Sequence, residues 1–482
     1  MNCKGTSVKS NCPGDKNFQC CIPAVTPKTT TTKKTITSIV TNITSSESVI
    51  PSDETIPSDN AVPTDVTTLS EETNPSENTT PSENISPSEE SNVPESTVTP
   101  SQDSMKITRL KLNGVVNPFG FDFKKLIASW NVEDTKASTL KNGLLEVASD
   151  ENFKDIIYKK DSADLDQVGE VIDIKLTPRT RYFWRVTITG DNGETATSDT
   201  QFFETGKMDE PWTGKWIAAE KGADYHPIFS KTLQLKKEPV KARLYVSCLG
   251  VFEAHLDGVK IGDEILTPYI NDYVTGMQII AFDVIDKLKV DSTLDIQVAK
   301  GWYMSKFAID GGYDFGDQMK AIAELHVSYE DGTEEVIGTD ASWKVLKSDV
   351  TESGIYYGED LDRTAGTPEM GAAVEVENEH VLLDRYSLPV KVMEILPAKE
   401  IITTPKGETV IDFGQNHAGI MEFDVIDFPE GTVITVDCGE VLQEDNFYNE
   451  NYRTARSRFV YTSDGRSETI HPKIYFLWLS LH

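Results

Sequence analysis

Residues 181–205 read RYFWRVTITGDNGETATSDTQFFET, and this stretch decides the fold class. Its side chains alternate between the two faces of an extended chain from Tyr182 to Ile188, and the pattern returns in residues 201–205. A period of two residues is typical of a half-buried β-strand. The tripeptide Asp191-Asn192-Gly193 favours a tight hairpin turn. We therefore predict antiparallel strands around a short turn.

The same period of two residues continues on both sides of this stretch, from Met105 to near the C-terminus. Further strands are predicted at residues 241–247, 251–256, 321–329, 410–413, 419–425 and 432–436. An early Trp130 and a late Tyr-x-Trp-x-Val are typical of a fibronectin type III-like sandwich. The next block shows no long helical pattern, which favours two packed sheets. The predicted fold class is all-β, with serial β-sandwiches: one fibronectin type III-like, then two jelly-roll-like.

The aromatic residues divide the chain into two parts, because none lies between Phe18 and Phe119. Residues from about 24 to 104 are mainly Ser, Thr, Pro, Asp and Glu. Such a segment cannot bury enough apolar surface to offset the entropy lost on ordering. The predicted organisation is a Cys-rich disulfide module fragment at 1–23, a disordered linker at 24–104, and β-sandwiches at 105–207, 208–385 and 386–482.

The cysteines are concentrated at the N-terminus, where four of the six lie: Cys3, Cys12, Cys20 and Cys21. Adjacent cysteines are poor partners for each other, so two disulfide pairings stay open. A metal knuckle is the alternative, but no His accompanies these cysteines. We predict disulfides and no metal. Cys248 and Cys438 lie in apolar strand patterns and are predicted to be buried free thiols.

The glycosylation sequons and the predicted disulfides both indicate an extracellular protein. All three N-x-Ser/Thr sequences, at Asn42, Asn78 and Asn84, fall in the predicted linker. Glycans suit an exposed stalk, and disulfides suit an oxidising environment, so we predict secretion. The first 20 residues have no apolar h-region. The signal peptide is therefore expected upstream of Met1.

The charge of the chain limits its partners. Its 78 acidic and 46 basic side chains give a formal charge of −32. Such a surface repels phosphate backbones and anionic lipid, so we expect neither nucleic acid nor membrane as a partner. No run of about 18 apolar residues is present to span a bilayer. Neutral ligands such as sugars are not excluded by this charge.

Several motifs in order resemble the bacterial-type α-L-rhamnosidases. Four of them are similar to that family's N-terminal β-sandwich: residues 249–263 (LGVFEAHLDGVKIGD), 266–269 (LTPY), 301–303 (GWY) and 340–344 (DASWK). Three more resemble the sandwich that precedes the catalytic domain: residues 412–419 (DFGQNHAG), 439–442 (GEVL) and 451–455 (NYRTA). The resemblance covers about residues 212–473.

The resemblance implies hydrolysis of terminal α-L-rhamnosides, from plant glycans or glycosides, by the complete protein. In the family, paired carboxylates in an α/α toroid perform this reaction with inversion, without a cofactor. No toroid is visible in this sequence, so the chain is predicted to be the non-catalytic N-terminal part, inactive alone and with no catalytic residue. The alternative is a non-catalytic carbohydrate-binding or scaffold protein built of β-sandwiches.

The last residues depart from the family pattern. After Lys473 the family continues as Phe-Thr-Phe-Tyr-Gly-Phe-Arg-Tyr, whereas residues 474–481 read IYFLWLSL. Inserting one base after the Lys473 codon of a suitably chosen coding sequence reproduces all eight observed residues. We therefore expect a frameshift, genomic or from sequencing, that removes the catalytic part.

A sugar-binding site is predicted from aromatic residues, because flat aromatic faces stack on pyranose rings. The candidates are Trp302, Tyr303, Tyr313 and Asp257, with core packing as the alternative for the aromatic side chains. In some relatives the N-terminal sandwich resembles a calcium-dependent rhamnose-binding module. That pattern has Asp-Asn-Gly at the turn filled here by Leu256-Asp257-Gly258, and Asn where this chain has Lys300. Lys cannot ligate calcium, so no metal is predicted.

The other candidate catalytic groups are predicted to be structural. Three histidines lie on or beside predicted strands without a nucleophile nearby: His255, His326 and His417. The densest carboxylate cluster near the C-terminus is Glu440, Glu444 and Asp445. An inverting pair must face across a sugar, roughly 6.5 to 9.5 Å apart, and a strand followed by a loop does not secure this. We predict a solvated surface there.

Overall fold

The computed structural model describes residues 104–305 and 315–473 in full and the backbone of residues 19–21. Several predicted features lie outside the described residues: the Cys3 and Cys12 thiols, the side chains of Cys20 and Cys21, the linker with Asn42, Asn78 and Asn84, Tyr313, and residues 474–482. These features therefore stay predictions.

The described residues contain β-strands, two short 3₁₀-helices and no α-helix, which confirms the all-β class. The first strands are β1 Gln19–Cys21, β2 Lys106–Leu112, β3 Phe119–Phe121, β4 Leu126–Glu133, β5 Leu140–Ala148, β6 Ile156–Ser162, β7 Glu170–Ile172, β8 Arg181–Gly190, β9 Thr195–Thr197 and β10 Gln201–Thr205. Then follow β11 Ile217–Ala218, β12 Pro227–Thr232, β13 Lys241–Leu249, β14 Val251–Leu256, β15 Val259–Lys260, β16 Met277–Asp283, β17 Thr293–Ala299, β18 Lys320–Ser328, β19 Glu334–Gly338 and β20 Lys344–Lys347. The remainder are β21 Val350–Gly354, β22 Gly358–Asp362, β23 Glu369–Ala372, β24 Val374–Glu375, β25 Leu382–Asp384, β26 Glu400–Thr403, β27 Thr409–Asp412, β28 Phe423–Val425, β29 Val433–Gly439, β30 Val441–Gln443, β31 Asn446–Tyr448, β32 Arg458–Thr462 and β33 Glu468–Ile470. The 3₁₀-helices are Arg363–Ala365 and Glu450–Tyr452.

The first sandwich packs sheet β3-β10-β8-β5-β6, with β9 beside β8, against sheet β2-β4-β7. Side chains of β8 alternate between half-buried and buried along its whole length, as its period of two predicts. Trp184 is 1% exposed and packs in one core with Trp130. The turn between β8 and β9 is closed by a hydrogen bond from the Gly193 N–H to the Gly190 carbonyl at 3.0 Å. The predicted strands and turn are confirmed here.

The second sandwich packs sheet β24-β11-β18-β13-β16-β25, with β19 beside β18, against sheet β15-β14-β17-β12-β20-β23. Nine consecutive residues of β13 pair antiparallel with β18. The inner faces of the two sheets enclose a large apolar core in which Phe229, Leu244 and Val246 are fully buried. This arrangement of two packed sheets follows the prediction for this block.

The third sandwich has a principal sheet of order β21-β22-β32-β29-β1-β27-β26, and a small sheet of β28 and β33. Its core contains Phe423, Phe459 and Tyr461, each 1% exposed or less. Strands β21 and β22 join this sheet although they precede residue 386, the predicted start of the third sandwich. Of the strand predicted at 419–425, Phe423–Val425 forms a strand paired with β33, and Gly419 takes part in an isolated β-bridge.

The joint between the first two sandwiches is built from buried charges. Glu204 of β10 is fully buried and accepts hydrogen bonds from Arg243 Nε at 2.6 Å and from Arg181 Nε at 2.8 Å. The Arg243 Nη1 atom also lies 2.7 Å from Asp283 Oδ1. Buried charges are tolerated only when paired and hydrogen-bonded in this way. The first sandwich is therefore held to the second by specific polar contacts.

A second polar cluster fixes the chain between these sandwiches. Glu324, fully buried, is ion-paired with Lys207 and bound by His326 Nε2 at 3.0 Å. Burial raises the pKa of Glu324, but the hydrogen bonds from His326 and Lys207 outweigh it and lower the pKa. Asp384 accepts the backbone N–H groups of Lys207 and Met208 at 2.9 and 2.7 Å. The connecting segment is thus anchored on both sides.

No helix among the described residues is long and apolar enough to cross a bilayer.

Candidate functional site

The outer face of the β13-β16-β18 sheet is covered by aromatic side chains. Ile217 of β11 pairs with Ala321 and points into the sandwich core, so the preceding Trp216 lies on the opposite face. There Trp216 is 8% exposed and packs with Ile322. Trp212 is half-buried on the same face, with Lys207 Nζ 4.7 Å from its ring centre. These two indoles come from the segment that leaves the first sandwich.

A cavity of about 390 Å³ opens beside these tryptophans. A volume of a few hundred Å³ is sufficient for a small ligand. The cavity combines indole rings, aliphatic side chains and polar groups, and its lining residues are Trp212, Gly214, Lys215, Trp216, Ile322, Glu375, Val376, Glu377, Asn378 and Leu382. The wall from 375 to 378 is fixed by a hydrogen bond from the Val376 N–H to the Trp216 carbonyl at 2.8 Å.

Asn378 gives this cavity an unmatched donor. Its Oδ1 atom lies 2.6 Å from His380 Nδ1, whereas its buried Nδ2 atom has no hydrogen-bond partner among the described residues. Burial lowers the pKa of His380, so at neutral pH the imidazole is uncharged and donates one N–H. A buried donor without a partner costs free energy, and a ligand oxygen would remove that cost. The cavity therefore suits a ligand with hydroxyl or ether oxygens.

The carboxylates of the cavity favour binding over catalysis. Glu375 and Glu377 are exposed, and Glu375 Oε1 accepts the Ala341 N–H at 3.2 Å. A general acid in glycoside hydrolysis needs a carboxyl that burial keeps protonated near neutral pH. An exposed carboxylate instead accepts hydrogen bonds from ligand hydroxyls. The arrangement can hold a neutral polyol against indole rings without cleaving it.

The predicted aromatic residues lie near this cavity but are largely packed. Tyr303 is 6% exposed, with its ring 5.2 Å from that of Tyr273 and 6.3 Å from that of His380. Trp302 is half-buried and packs both against the core of the third sandwich and against the outer-face cluster that contains Trp216 and Tyr303. Both side chains pack against other apolar and aromatic residues, and neither lines the cavity. That they bind a sugar stays a prediction.

Asp257 is not brought together with these aromatic residues. It follows Leu256, which pairs with Leu294, whereas Trp302 follows Ala299, which pairs with Val251. The two sites are separated by five strand residues, about 16 Å at roughly 3.3 Å per residue. Asp257 instead binds the start of β17, where its Oδ1 atom accepts the Thr293 N–H at 2.8 Å, and this hydrogen bond lowers the pKa of Asp257.

The residues weighed for calcium have other partners. Lys300 is ion-paired with Glu352, and the Asp257 Oδ2 atom accepts the Ser292 hydroxyl at 3.0 Å. Within residues 104–305 and 315–473, no three His, Cys, Asp or Glu side chains are placed to hold a metal ion. That calcium does not bind at these positions stays a prediction.

The remaining candidates have structural surroundings. His326 binds Glu324 at the joint, and His417 is 2% exposed with Nδ1 3.1 Å from the Gln415 carbonyl. His255 Nε2 lies 3.6 Å from Glu253. In the carboxylate cluster, Glu444 and Asp445 occupy the hairpin turn between β30 and β31, both with positive φ. Glu440 accepts a long 3.4 Å hydrogen bond from Asn451 at the surface.

Sequence reasoning missed the residues that line the cavity. Trp212 and Trp216 carry the only local signal, two indoles four residues apart beside the start of the second sandwich. Their polar partners, Glu375, Glu377 and Asn378, follow about 160 residues later and meet them because β24 pairs with β11. No local pattern predicts this pairing.

Comparison with known proteins gives three family models in series along the chain. Residues 107–209 match the Rha78A-like N-terminal immunoglobulin domain, residues 237–394 the alpha-L-rhamnosidase N-terminal domain, and residues 402–478 the bacterial alpha-L-rhamnosidase concanavalin-like domain. The last of these includes five residues beyond Lys473, outside the described part of the chain.

Curated relatives of this chain are named alpha-L-rhamnosidase, like the family models. An alpha-L-rhamnosidase of Streptomyces avermitilis is 30% identical over 294 residues, which are 56% of this chain and 28% of that protein. An alpha-L-rhamnosidase of an Alteromonas species is 26% identical over 400 residues, which are 75% of this chain and 43% of that protein. The chain thus spans less than half the length of these relatives.

Solved structures share the fold. The alpha-L-rhamnosidase of Dictyoglomus thermophilum superposes with a TM-score of 0.65 at 26% identity, over 78% of this chain and 46% of that chain. The enzyme of Aspergillus terreus gives a TM-score of 0.69 at 23% identity, over 77% of this chain and 46% of that one. The Streptomyces avermitilis enzyme, solved with L-rhamnose, gives 0.67 at 20% identity, over 77% of this chain and 55% of that one.

Proposed function

This chain belongs to the α-L-rhamnosidase family, of which it contains the immunoglobulin, N-terminal and concanavalin-like domains, and we propose that it serves as the non-catalytic β-half of a rhamnoside hydrolase. The complete enzyme would release terminal α-L-rhamnose from plant glycans or glycosides. The observation that carries the proposal is the serial order of the three family domains along residues 107–478.

The described residues support a role in binding and positioning. A glycoside is cleaved when one carboxyl protonates the leaving group and a second activates water on the opposite face. The carboxylates near the cavity, Glu375 and Glu377, are both exposed and lie two residues apart on one short segment. They can accept hydrogen bonds from sugar hydroxyls, but the environment for a protonated general acid is missing around them. We expect no turnover by this chain alone.

Carbohydrate binding at the cavity is the second candidate function, favoured by one specific observation. The cavity joins two indoles to the unpartnered Asn378 Nδ2 donor and two carboxylate acceptors. A protein of this family has been solved with L-rhamnose, which makes a deoxy sugar a natural first ligand to test. Acting alone, the chain would then be a carbohydrate-binding protein. Secretion stays part of this proposal, supported by the sequons and N-terminal cysteines.

Two assays on the purified 482-residue chain test these functions. With an aryl α-L-rhamnoside we expect no release of the phenol, and turnover that a single substitution in this chain abolishes would contradict the non-catalytic role. With methyl α-L-rhamnoside we expect quenching of tryptophan fluorescence. Glu377→Gln should weaken that binding about tenfold, the effect of one hydrogen bond to a charged group.

Glu379→Gln is the matched control, because Glu379 is an exposed neighbour that does not line the cavity. Equal affinity of the two variants would remove the cavity from the proposal. It would leave the family assignment intact, since that rests on the domain order.

A further inference from the structure

The two tryptophans of the cavity lie between two matched domains. The match to the immunoglobulin domain ends at residue 209, and the match to the N-terminal domain begins at residue 237. Trp212 and Trp216 fall between these bounds, on the segment that leads from the joint into the second sandwich. Residues 212–216 form the indole wall of the cavity. The cavity therefore combines side chains of the N-terminal domain with a wall supplied by the connecting segment.

The indole wall is held on the second sandwich by one buried carboxylate. Glu324 Oε1 accepts hydrogen bonds from the Thr213 N–H, from the Thr213 hydroxyl at 2.9 Å and from the Gly214 N–H at 2.9 Å. A Cβ atom on Gly214 would lie 2.6 Å from the Ala323 carbonyl oxygen, so the backbone of the wall lies directly on β18. The position of the wall is therefore set by Glu324 and by the strand that carries it.

The same carboxylate belongs to the joint between the first two sandwiches. Its other oxygen, Oε2, is ion-paired with Lys207 and lies 3.0 Å from His326 Nε2. Lys207 is 1% exposed, and its Nζ atom lies 4.7 Å from the centre of the Trp212 ring. An ammonium group over an indole face is attracted by the ring. Lys207, two residues after β10, therefore connects the first sandwich to both Glu324 and the indole wall.

An apolar cluster makes a second connection between the cavity and the first sandwich. Phe119 of β3 packs against the same buried cluster as Trp212 and Leu382, which line the cavity. On β25, Asp384 follows Leu382 by two residues and accepts the backbone N–H of Lys207 at 2.9 Å. Two sides of the cavity are therefore linked to the groups that hold the first sandwich. The buried members of the cluster are Tyr245, Ile279 and Ala281.

We propose that the cavity and the joint form one coupled unit, in which Glu324 is a positioning residue for the carbohydrate site and a bound saccharide in turn holds the first sandwich against the second. This inference rests on the proposed carbohydrate function of the cavity. A saccharide favours the arrangement that it binds best, here the one with the indole wall in place. Coupling between two sites is reciprocal, so the factor by which a loosened wall lowers the affinity is also the factor by which the saccharide stabilises the joint.

The first test weakens the anchor of the wall in the full chain. Thr213→Val removes the hydroxyl that donates to Glu324, keeps the backbone N–H and changes an exposed side chain. We expect this variant to bind methyl α-L-rhamnoside about fivefold more weakly or worse, measured by quenching of tryptophan fluorescence. Thr213→Ser restores the hydroxyl and should restore most of the affinity. Thr333→Val is the matched control, because that exposed hydroxyl donates to Asp331 at 2.6 Å in the turn after β18.

The reciprocal test follows the joint while the cavity is filled. The N–H groups of Lys207 and Met208 bind Asp384 and do not line the cavity. Their amide exchange in the full chain should slow about fivefold or more with saturating methyl α-L-rhamnoside, and less in Thr213→Val. Exchange at Phe459, in the core of the third sandwich, should not change. Bound saccharide without slower exchange at Lys207 and Met208 would overturn the proposal.

A measurement without saccharide separates this inference from the carbohydrate function. The Val376 N–H donates to the Trp216 carbonyl at 2.8 Å and reports on the position of the indole wall. In ligand-free Thr213→Val its exchange should be about fivefold faster than in the natural chain, whereas Thr213→Ser and Thr333→Val should match the natural chain. Equal exchange of Val376 in all four proteins would overturn the positioning role of Glu324. If Val376 responds but the natural chain binds no saccharide, the carbohydrate function fails, the saccharide half of the coupling fails with it, and the positioning role stands.

Discussion

The joint between the first two sandwiches and the principal sheet of the third differ in which groups hold them together. At the joint, fully buried Glu204 and Glu324 each receive hydrogen bonds from two basic side chains. In the third sheet, a three-residue strand stands beside the seven residues of β29. The joint is held by single side chains, whereas the sheet is held by backbone pairing between strands. The joint is therefore the more sensitive of the two to a single substitution, because one buried charge can lose its partner.

The largest expected effect is loss of the Glu204 carboxylate. Glu204→Ala leaves Arg243, 6% exposed, without its bidentate partner, although Asp283 still lies 2.7 Å from Nη1. Removing one partner of a buried ion pair costs about 3–5 kcal/mol because the other charge stays buried. The free energy of unfolding, measured by urea titration, should fall by that amount.

A surface ion pair gives the matched control. Lys344 and Glu369 are 2.8 Å apart with side chains 61% and 52% exposed, so Glu369→Ala should cost no more than about 1 kcal/mol. If Glu204→Ala lowered the free energy of unfolding no more than Glu369→Ala does, the ion pairs of the joint would not hold the two sandwiches together.

The second prediction concerns pH, through Asp384 at the same joint. Burial raises the pKa of Asp384 to about 6, against the opposing effect of the N–H groups of Met208 and Lys207. The folded protein therefore binds this proton more tightly than the unfolded chain does between about pH 4 and pH 6. The contribution of Asp384 to the unfolding free energy should fall as pH rises through that window, by roughly 3 kcal/mol at most, and stay constant above it.

The measurement is the difference in unfolding free energy between the natural chain and Asp384→Asn across pH 4 to 7. Asparagine does not titrate, so the difference isolates this carboxyl from the others. The variant should gain stability relative to the natural chain as pH rises to about 6. A difference that is independent of pH would mean that Asp384 titrates at its ordinary value.

The third prediction is steric and smaller. A Cβ atom on Gly206 would lie well under 3.0 Å from the Asp384 carboxylate. Gly206→Ala should therefore displace that side chain and cost about 1–3 kcal/mol, as overpacking does. On Gly169 a Cβ would meet only Asp166 Oδ2 at 3.3 Å, so Gly169→Ala should change the midpoint of thermal unfolding little. If Gly206→Ala left the midpoint of thermal unfolding unchanged, the Asp384 side chain would be free to move away from residue 206 at no cost.

The sequence predicted what depends on local periodicity and missed what depends on distant pairing. Strands β8, β13, β14 and β18 were predicted because a two-residue period is visible within one short stretch. The place of β21 and β22 in the third sheet was missed, since no local signal says which strand a strand will join. The short β1 was missed for the same reason.

In the candidate site, too, local features were visible in the sequence and contacts between distant residues were not. Trp302 and Tyr303 were singled out because aromatic residues are visible in a sequence, yet the structure uses them mainly for packing. The cavity was missed because its indoles and its polar groups lie on segments about 160 residues apart. The buried ion pairs of the joint, Arg243 with Glu204 and Lys207 with Glu324, connect residues 39 and 117 positions apart. The sequence shows these charges but not which of them pair.

The smallest expected effect is that of calcium on the second sandwich. Asp257 resembles the carboxylates of the joint, because its oxygens already accept hydrogen bonds from the Thr293 N–H at 2.8 Å and from the Ser292 hydroxyl at 3.0 Å. Calcium takes six to eight oxygen ligands, and the neighbouring Leu256 offers none from its side chain, while Lys300 at the far end of the strand pair is bound to Glu352. A ligand at 100 times its dissociation constant would stabilise the fold by about 2.7 kcal/mol, a clear shift in a thermal melt. We therefore expect millimolar calcium to leave the melting temperature unchanged. A shift that Asp257→Ala abolishes, and that magnesium does not reproduce, would show that the turn opens to bind the ion and that its saturated hydrogen bonds are weaker than those of the joint.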